Sequence, residues 1–374
     1  MFLLARKILL HDPLRFMIAV AGVGFAVMLA LLQTSFYNGF LNNASNLIDH
    51  TEADLWVTAR GIQNVDFCSP IPMRYQERIK SMPGVAWVEP LIIALTLWRL
   101  DTGGLEGTEI IGFDPDGGHA GPWRMVAGLP DAIKTPNTLI MDVFDMRKFR
   151  VTGMGHEAEL GGAKMRVVGF TRGIRSFTTV PYTFTSLRNA RLYTNLKNDQ
   201  ATYFLVGLQP HADQRALKAQ IRTLTGVDVY NKAEFAARTR DYWNRSTGVA
   251  TVLFASSLLG LLVGMVVVGQ TLYASTVEHL REFGTYKALG ATNRDIIQVI
   301  VMQSLIAGGL GYVLGLLLVG YAKRVIDVFT DIPSQLGALE FVGMFGVTIL
   351  MCVGASYFSI RKVTRLEPAM VFKG

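Results

Sequence analysis

Four stretches of the chain, 16–40, 248–277, 296–322 and 341–360, contain no Asp, Glu, Lys or Arg. Each is long enough to carry an α-helix across about 30 Å of hydrocarbon, which takes about 20 residues at 1.5 Å per residue. An ionised side chain at mid-membrane costs about 2.5–3.5 kcal/mol, so clean runs separated by charged segments predict four transmembrane helices. Arg6, Lys7 and Arg15 precede the first run as they would a signal peptide, but the run is long and no A-x-A site follows, which favours an anchor. Residues 1–15 alternate Phe2, Leu3, Leu4, Ile8, Leu9 and Leu10 with Arg6, Lys7 and His11 until Asp12-Pro13 breaks the pattern. This predicts a short helix in the cytoplasmic interface, its basic side toward anionic lipid headgroups.

Between 41 and 247 the pattern becomes mixed. Residues 54–58, 85–89, 92–100, 108–113, 138–141 and 203–208 read as strands, and Gly161-Gly162 joins 157–160 to 164–170 as a hairpin. Helical spacing marks 74–82 and 212–224, the latter with Leu217, Ile221 and Leu224 on one face. Segments 38–50 and 232–244 read as helical stalks continuing the first and second spans. The fold class is a four-helix membrane bundle with a large α+β extracytoplasmic domain inserted between helices 1 and 2. Its parts are an interfacial helix (1–15), span one (16–40), the domain with its stalks (41–247), span two (248–277), a cytoplasmic segment (278–295), span three (296–322), a short outer loop (323–340), span four (341–360) and a cytoplasmic tail (361–374).

Composition agrees, with 50% apolar and only 17% charged residues, where about 25% charged is usual for soluble domains. The formal charge of +7 raises the question of nucleic acid, but residues 41–247 hold 24 Lys plus Arg against 21 Asp plus Glu, so no basic patch is built there. The excess lies beside the spans, in Arg6, Lys7 and Arg15, in Arg281, Lys287 and Arg294, and in Arg361, Lys362, Arg365 and Lys373. Lys323 and Arg324 are offset by Asp327, Asp331 and Glu340. Positive flanks stay in the cytoplasm, so both termini are expected there, with 41–247 and 323–340 outside.

Catalytic chemistry finds no support. His156-Glu157 opens like H-E-x-x-H, but residue 160 is Leu and the second metal ligand is missing. His11, His50, His119, His211 and His279 share no ligand spacing, and no metal or other cofactor is expected on this chain. No G-x-x-x-x-G-K-[ST] occurs, so no P-loop can cradle nucleotide phosphates and energy must come from another polypeptide. The spans hold no ionisable core of the kind ion-coupled transporters use. Small residues suggest close helix approach at Gly260 and Gly264 or Gly311 and Gly315, as dimer contacts, and Gln303 with Ser304 offer interhelical hydrogen bonds.

If the chain transports, residues 278–295 are the natural receiver of that energy, and otherwise a solvated turn that reverses the chain. They read as a short amphipathic helix capped near Gly290, followed by a new start whose Thr292 and Asp295 fit a capping box. The string R-E-F-G-T-Y-K-A-L-G-A-T-N-R-D-I from Arg281 to Ile296, with Gly308, Gly309, Gly311 and Gly315 after it, resembles the permease signature of the MacB/FtsX superfamily of ABC transporters. The likeness extends to the four-span layout, to Asp241-Tyr242-Trp243 before span two and to Glu367-Pro368-Ala369 in the tail. Within the superfamily the chain looks most similar to the DevC branch of tripartite exporters.

The resemblance implies a homodimer of permeases, each copy docked on a separate ABC ATPase that supplies ATP and Mg. A periplasmic adaptor and an outer-membrane channel would complete the assembly. Carried onto this chain, the ATPase-coupling positions are Glu278, Arg281, Glu282, Gly284, Lys287, Ala288 and Gly290, with Tyr286 where relatives often carry an aliphatic or basic residue. The family mechanism is mechanotransmission, in which ATP-driven closure in the cytoplasm moves the outer domains. Regulation of cell-wall hydrolysis and release of lipoproteins are alternative outputs of the same superfamily.

Overall fold

A computed structural model describes residues 2–174, 176, 180–330 and 336–364. In chain order the helices are α1 (Phe2–His11), α2 (Pro13–Ala44), α3 (Asn46–Asp49), α4 (Arg74–Lys80), α5 (Met146–Phe149), α6 (Leu187–Thr194), α7 (Gln214–Thr225), α8 (Lys232–Ser246), α9 (Val249–Glu278), α10 (Leu280–Ala288), α11 (Asn293–Thr330) and α12 (Ala338–Thr364). The chain divides into a helical unit, residues 1–39 and 248–374, and an inserted unit, residues 40–247.

In the helical unit α2, α9, α11 and α12 are each long and apolar enough to cross a membrane. They outrun the apolar stretches because charge ends a membrane-compatible run without ending a helix. Thus α11 continues through Lys323 and Arg324 to Thr330 and α12 starts at Ala338, so most of the loop expected at 323–340 is helical. Residues 331–335 of that loop, and the tail from 365 onward with Glu367-Pro368-Ala369, lie outside the described residues. Asp12 accepts from the backbone N–H of Arg15 at 3.2 Å and Pro13 opens α2, which separates it from α1. Buried Ala19, Val23, Ala26, Val27, Ala30 and Leu31 form the inner stripe of α2. Small residues let backbones meet there: a Cβ at Gly311 would lie 2.5 Å from Val23, and one at Gly315 would lie 2.7 Å from Val27. On α9 a Cβ at Gly264 would lie 2.6 Å from Ala26.

The inserted unit is built on strands β1 (Leu55–Thr58), β2 (Ile71–Pro72), β3 (Val85–Arg99), β4 (Leu105–Phe113), β5 (Met125–Ala127), β6 (Thr138–Asp142), β7 (Glu157–Leu160), β8 (Ala163–Thr171), β9 (Tyr182–Ser186), β10 (Gln200–Ala201), β11 (Tyr203–Leu208) and β12 (Asp228–Asn231). The main sheet runs β12-β1-β11-β3-β4-β9-β6-β8-β5, with β7 on β3 and β8, while β2 and β10 pair separately. The β4–β9 and β6–β8 pairs are parallel, which makes the sheet mixed. One continuous strand replaces the two expected at 85–89 and 92–100. β3 pairs with β11 through Leu91 and with β4 from Ile92, so at Pro90 only one edge is engaged and a residue without N–H is tolerated. Gly161 and Gly162 form the hairpin turn with φ of +56° and +84°.

Three clusters of core pack against this sheet: Ile79 of α4 with Leu217 and Ile221 of α7 in one, Phe149 of α5 with Ala190 and Tyr193 of α6 in a second, and Trp56, Tyr203 and Phe235 in the third. Leu224 does not join the buried face of α7. It is exposed, and Thr225 is buried in its place.

The first stalk continues span one as a single helix to Ala44, where α2 ends and a turn at Ser45 separates it from α3. α8 is divided from α9 at Thr247-Gly248, where Gly248 has φ +65°. α8 packs on the sheet through Phe235, whose ring lies 5.3 Å from that of fully buried Trp56. Its start is secured by a capping box between Asn231 and Glu234.

Candidate functional site

The segment between the second and third long helices folds by local rules. α10 ends in a Schellman motif: Gly290 takes φ +100°, its N–H donates to the Lys287 carbonyl at 3.0 Å, and the Ala291 N–H donates to the Tyr286 carbonyl at 2.9 Å. Two residues later the α11 capping box is formed, with the Thr292 N–H donating to Asp295 Oδ2 at 2.8 Å and the Asp295 N–H to Thr292 Oγ1 at 3.3 Å. The result is a compact knob with little freedom at its tip.

Burial sorts the predicted coupling residues. Glu278, Arg281, Glu282, Ala288 and Gly290 are exposed and Lys287 is half-buried, whereas Gly284 is buried beside Phe283. Gly284 therefore serves the packing of α10 and offers no surface to a partner. Tyr286 is turned inward as well, packed on a cluster of Ala5, Ile8, Phe283, Ile296, Val299 and Ile300. The sequence reading missed Leu289. It is an apolar side chain 80% exposed at the tip of the knob, and the only signal for it was its place directly before the capping glycine.

Other candidates end up elsewhere. Gly260, Gly264, Gly311 and Gly315 all face α2 of the same chain, so the close approach they permit is spent within the protomer and not on a second copy. Ser304 donates to the Val301 carbonyl of its own helix at 2.8 Å, and buried Gln303 Nε2 has no partner among the described residues. Neither supplies the interhelical bond expected of it. His156 stands beside Thr152 Oγ1 at 3.4 Å, and Glu157 pairs with Arg166 in the hairpin. Among the described residues no three His, Cys, Asp or Glu side chains gather as a metal set.

The inserted unit carries a second unforeseen feature, a buried pair of acids. Glu109 of β4 is 1% exposed with Oε1 unpartnered, and Asp66 lies in the loop after β1 with Oδ1 unpartnered. Asp66 Oδ2 accepts from the Trp243 indole N–H of α8 at 2.9 Å, and Tyr203 donates to the Val65 carbonyl at 2.8 Å. Burial raises the Asp66 carboxyl to about 6, with the Trp243 bond opposing. Burial, and then the charge of Asp66, push Glu109 well above the carboxylate range. Burial and the charge of Glu109 push the Cys68 thiol up to about 12. A thiol held neutral in this way lacks the thiolate character of a nucleophilic cysteine.

Comparison with known proteins follows the same division. Residues 16–224 match the model of the MacB-like periplasmic core domain, and residues 254–368 match the FtsX-like permease C-terminal model. An uncharacterized ABC transporter permease of Mycobacterium tuberculosis strain H37Rv is 24% identical over 366 residues, 96% of each chain. The macrolide export ATP-binding/permease protein MacB of Pasteurella multocida is 30% identical over 187 residues, 48% of this chain and 28% of that one. Among solved structures, the periplasmic region of MacB from Actinobacillus actinomycetemcomitans aligns with 50% of this chain and 92% of its own at TM-score 0.37 and 9% identity.

Proposed function

The chain belongs to the family of MacB- and FtsX-like ABC transporter permeases, and from that premise we propose that it is the membrane subunit of an ATP-driven exporter working by mechanotransmission. A separate cytoplasmic ABC ATPase binds ATP and Mg and pulls on α10; the spans rearrange, and the inserted domain on the far side moves cargo already there. Two copies of the chain form the working unit, and an adaptor and outer-membrane channel of DevC-type systems complete it. The observation that carries this reading is α10 itself, a capped helix between two membrane-length helices that presents Arg281, Glu282 and the exposed Leu289. An exposed apolar side chain on a segment that also exposes charge is the material from which a small protein-docking hot spot is made.

Mechanical work fits the helical unit because its span interiors offer no ion pathway. The test is co-purification of the full chain with a candidate ABC ATPase that lacks spans of its own. The chain alone turns over no nucleotide, and Glu282→Arg or Leu289→Glu weakens retention of the ATPase by about tenfold, as loss of a hot-spot contact does. Retention equal to wild type in both variants contradicts the docking assignment, as does ATP turnover by the lone chain. A deletion strain that exports normally but grows as unseparated chains of cells would instead select the regulatory output of the superfamily.

A further inference from the structure

The proposed docking helix is itself held from the opposite side, by the start of the chain. Ala5 and Ile8 of α1 are buried against Phe283 of α10 and Ile296, Val299 and Ile300 of α11. One turn further, four helix ends converge. His11 closes α1, Asp12 caps α2, Glu278 closes α9 and His279 precedes α10. Arg15 bridges them, with Nε 2.9 Å from Asp12 Oδ2 and Nη1 paired with Glu278 Oε2. The His11 and His279 rings meet edge to face at 5.8 Å, and buried His279 is satisfied through Nδ1 by Glu282 Oε1 at 3.1 Å.

We infer that α1 and the first turn of α2 are a brace for the coupling helix, with Arg15 as the positioning residue that ties the α9–α10 corner to α2. This deepens the coupling reading of α10 and rests on it. The chemistry favours such a tie. A carboxylate at the C-terminal end of α9 opposes the helix dipole, and the Arg15 guanidinium offsets that penalty. Glu282 has two engagements, since it orients His279 while also standing on the exposed side of α10. A load on Glu282 therefore reaches His279, and through the corner it reaches Arg15 at the foot of α2. α2 then continues without a break from Pro13 to Ala44, while the other connection, α8 to α9, is interrupted at Gly248. α2 is thus the stiff member of the pair.

Hydrogen exchange read by mass spectrometry on the full chain, in nanodiscs of phosphatidylethanolamine and phosphatidylglycerol, tests this without any ATPase. Arg15→Glu and Glu278→Arg each speed exchange in peptides spanning 278–290 by up to about fivefold, the range of an exposed ion pair, and the double swap restores protection. Arg15→Gln, which removes charge while keeping length, gives the same loss and covers the case in which the reversed charge fails to insert. Unchanged exchange in Arg15→Gln, or a double swap no better than the single variants, overturns the brace. ATPase retention measured on the same variants separates the two ideas: lost retention on Glu282→Arg with intact exchange behaviour supports docking alone, and normal swap rescue with no ATPase docking supports the brace while sinking the coupling reading.

Discussion

Asp66 and Glu109 sit where an ionised carboxylate is least at ease, buried with one oxygen each unpartnered; burial raises the proton affinity of both, and the charge of Asp66 adds to the rise at Glu109. The folded chain holds these protons to higher pH than the unfolded chain, for which an Asp titrates near 3.9. Stability from the neutral forms is therefore present at low pH and lost as pH rises through about 6 for Asp66. A shift of that size corresponds to roughly 2–3 kcal/mol for Asp66. The purified full chain should accordingly show a falling melting temperature between pH 5 and pH 8, and Asp66→Asn with Glu109→Gln should flatten the slope; a melting temperature that rises over that interval would contradict the burial argument. No periodicity marks these two acids, because Glu109 lies in a stretch of strand buried on both faces from Thr108 to Phe113, and its acidic neighbour Asp66 is far away in sequence. The segment that exposes Arg281, Glu282 and Ala288 was legible from its motif. The inward turn of Gly284 and Tyr286 was not, since it is set by α1, more than 270 positions earlier in the chain.

At the scale of elements, local chemistry accounts for most boundaries. The Asn231–Glu234 box starts α8, and Asn231→Ala should cost about 1 kcal/mol, seen as faster exchange in the first turn of that helix. Gly161 needs both its positive φ and its missing side chain, because a Cβ would stand 1.9 Å from the Tyr193 carbonyl oxygen. Gly161→Ala should therefore destabilise the inserted unit by about 1–3 kcal/mol, whereas Gly162→Ala, with nothing within 4 Å, bears only the backbone strain. The membrane helices offer the matching contrast. Gly311→Val drives a side chain into Val23 and should lower the melting temperature in detergent, while Gly309→Val, facing open space, should leave it unchanged. Equal effects would refute the α2–α11 packing. Where element reading failed, tertiary pairing decided: β3 runs through Pro90 because its partners change there, and α11 outlasts its apolar run because helix and membrane end under different rules.

For the molecule as a whole, the expected sidedness can be read by chemistry on two surface positions. In a Cys68→Ser, Cys352→Ala background, Leu129→Cys should react with a membrane-impermeant maleimide in cells whose outer layer is opened, and Thr285→Cys only after the inner membrane is broken. Both positions are exposed, so the difference reports sidedness and not burial. Labelling of both from one side would end the mechanotransmission reading. That four helices are membrane-length, that a mixed α/β unit is inserted among them and that a signature segment follows the second long helix were all determined by sequence, because hydrocarbon thickness, strand alternation and helix caps act over a few to about 20 neighbouring residues. Tertiary structure alone decided which glycines meet which helix, that His11 comes to His279 and Arg15 to Glu278, and that two acids share a dry interior. Such contacts join positions dozens to hundreds of residues apart, and their energies depend on distance and burial in the folded chain, which no local pattern encodes.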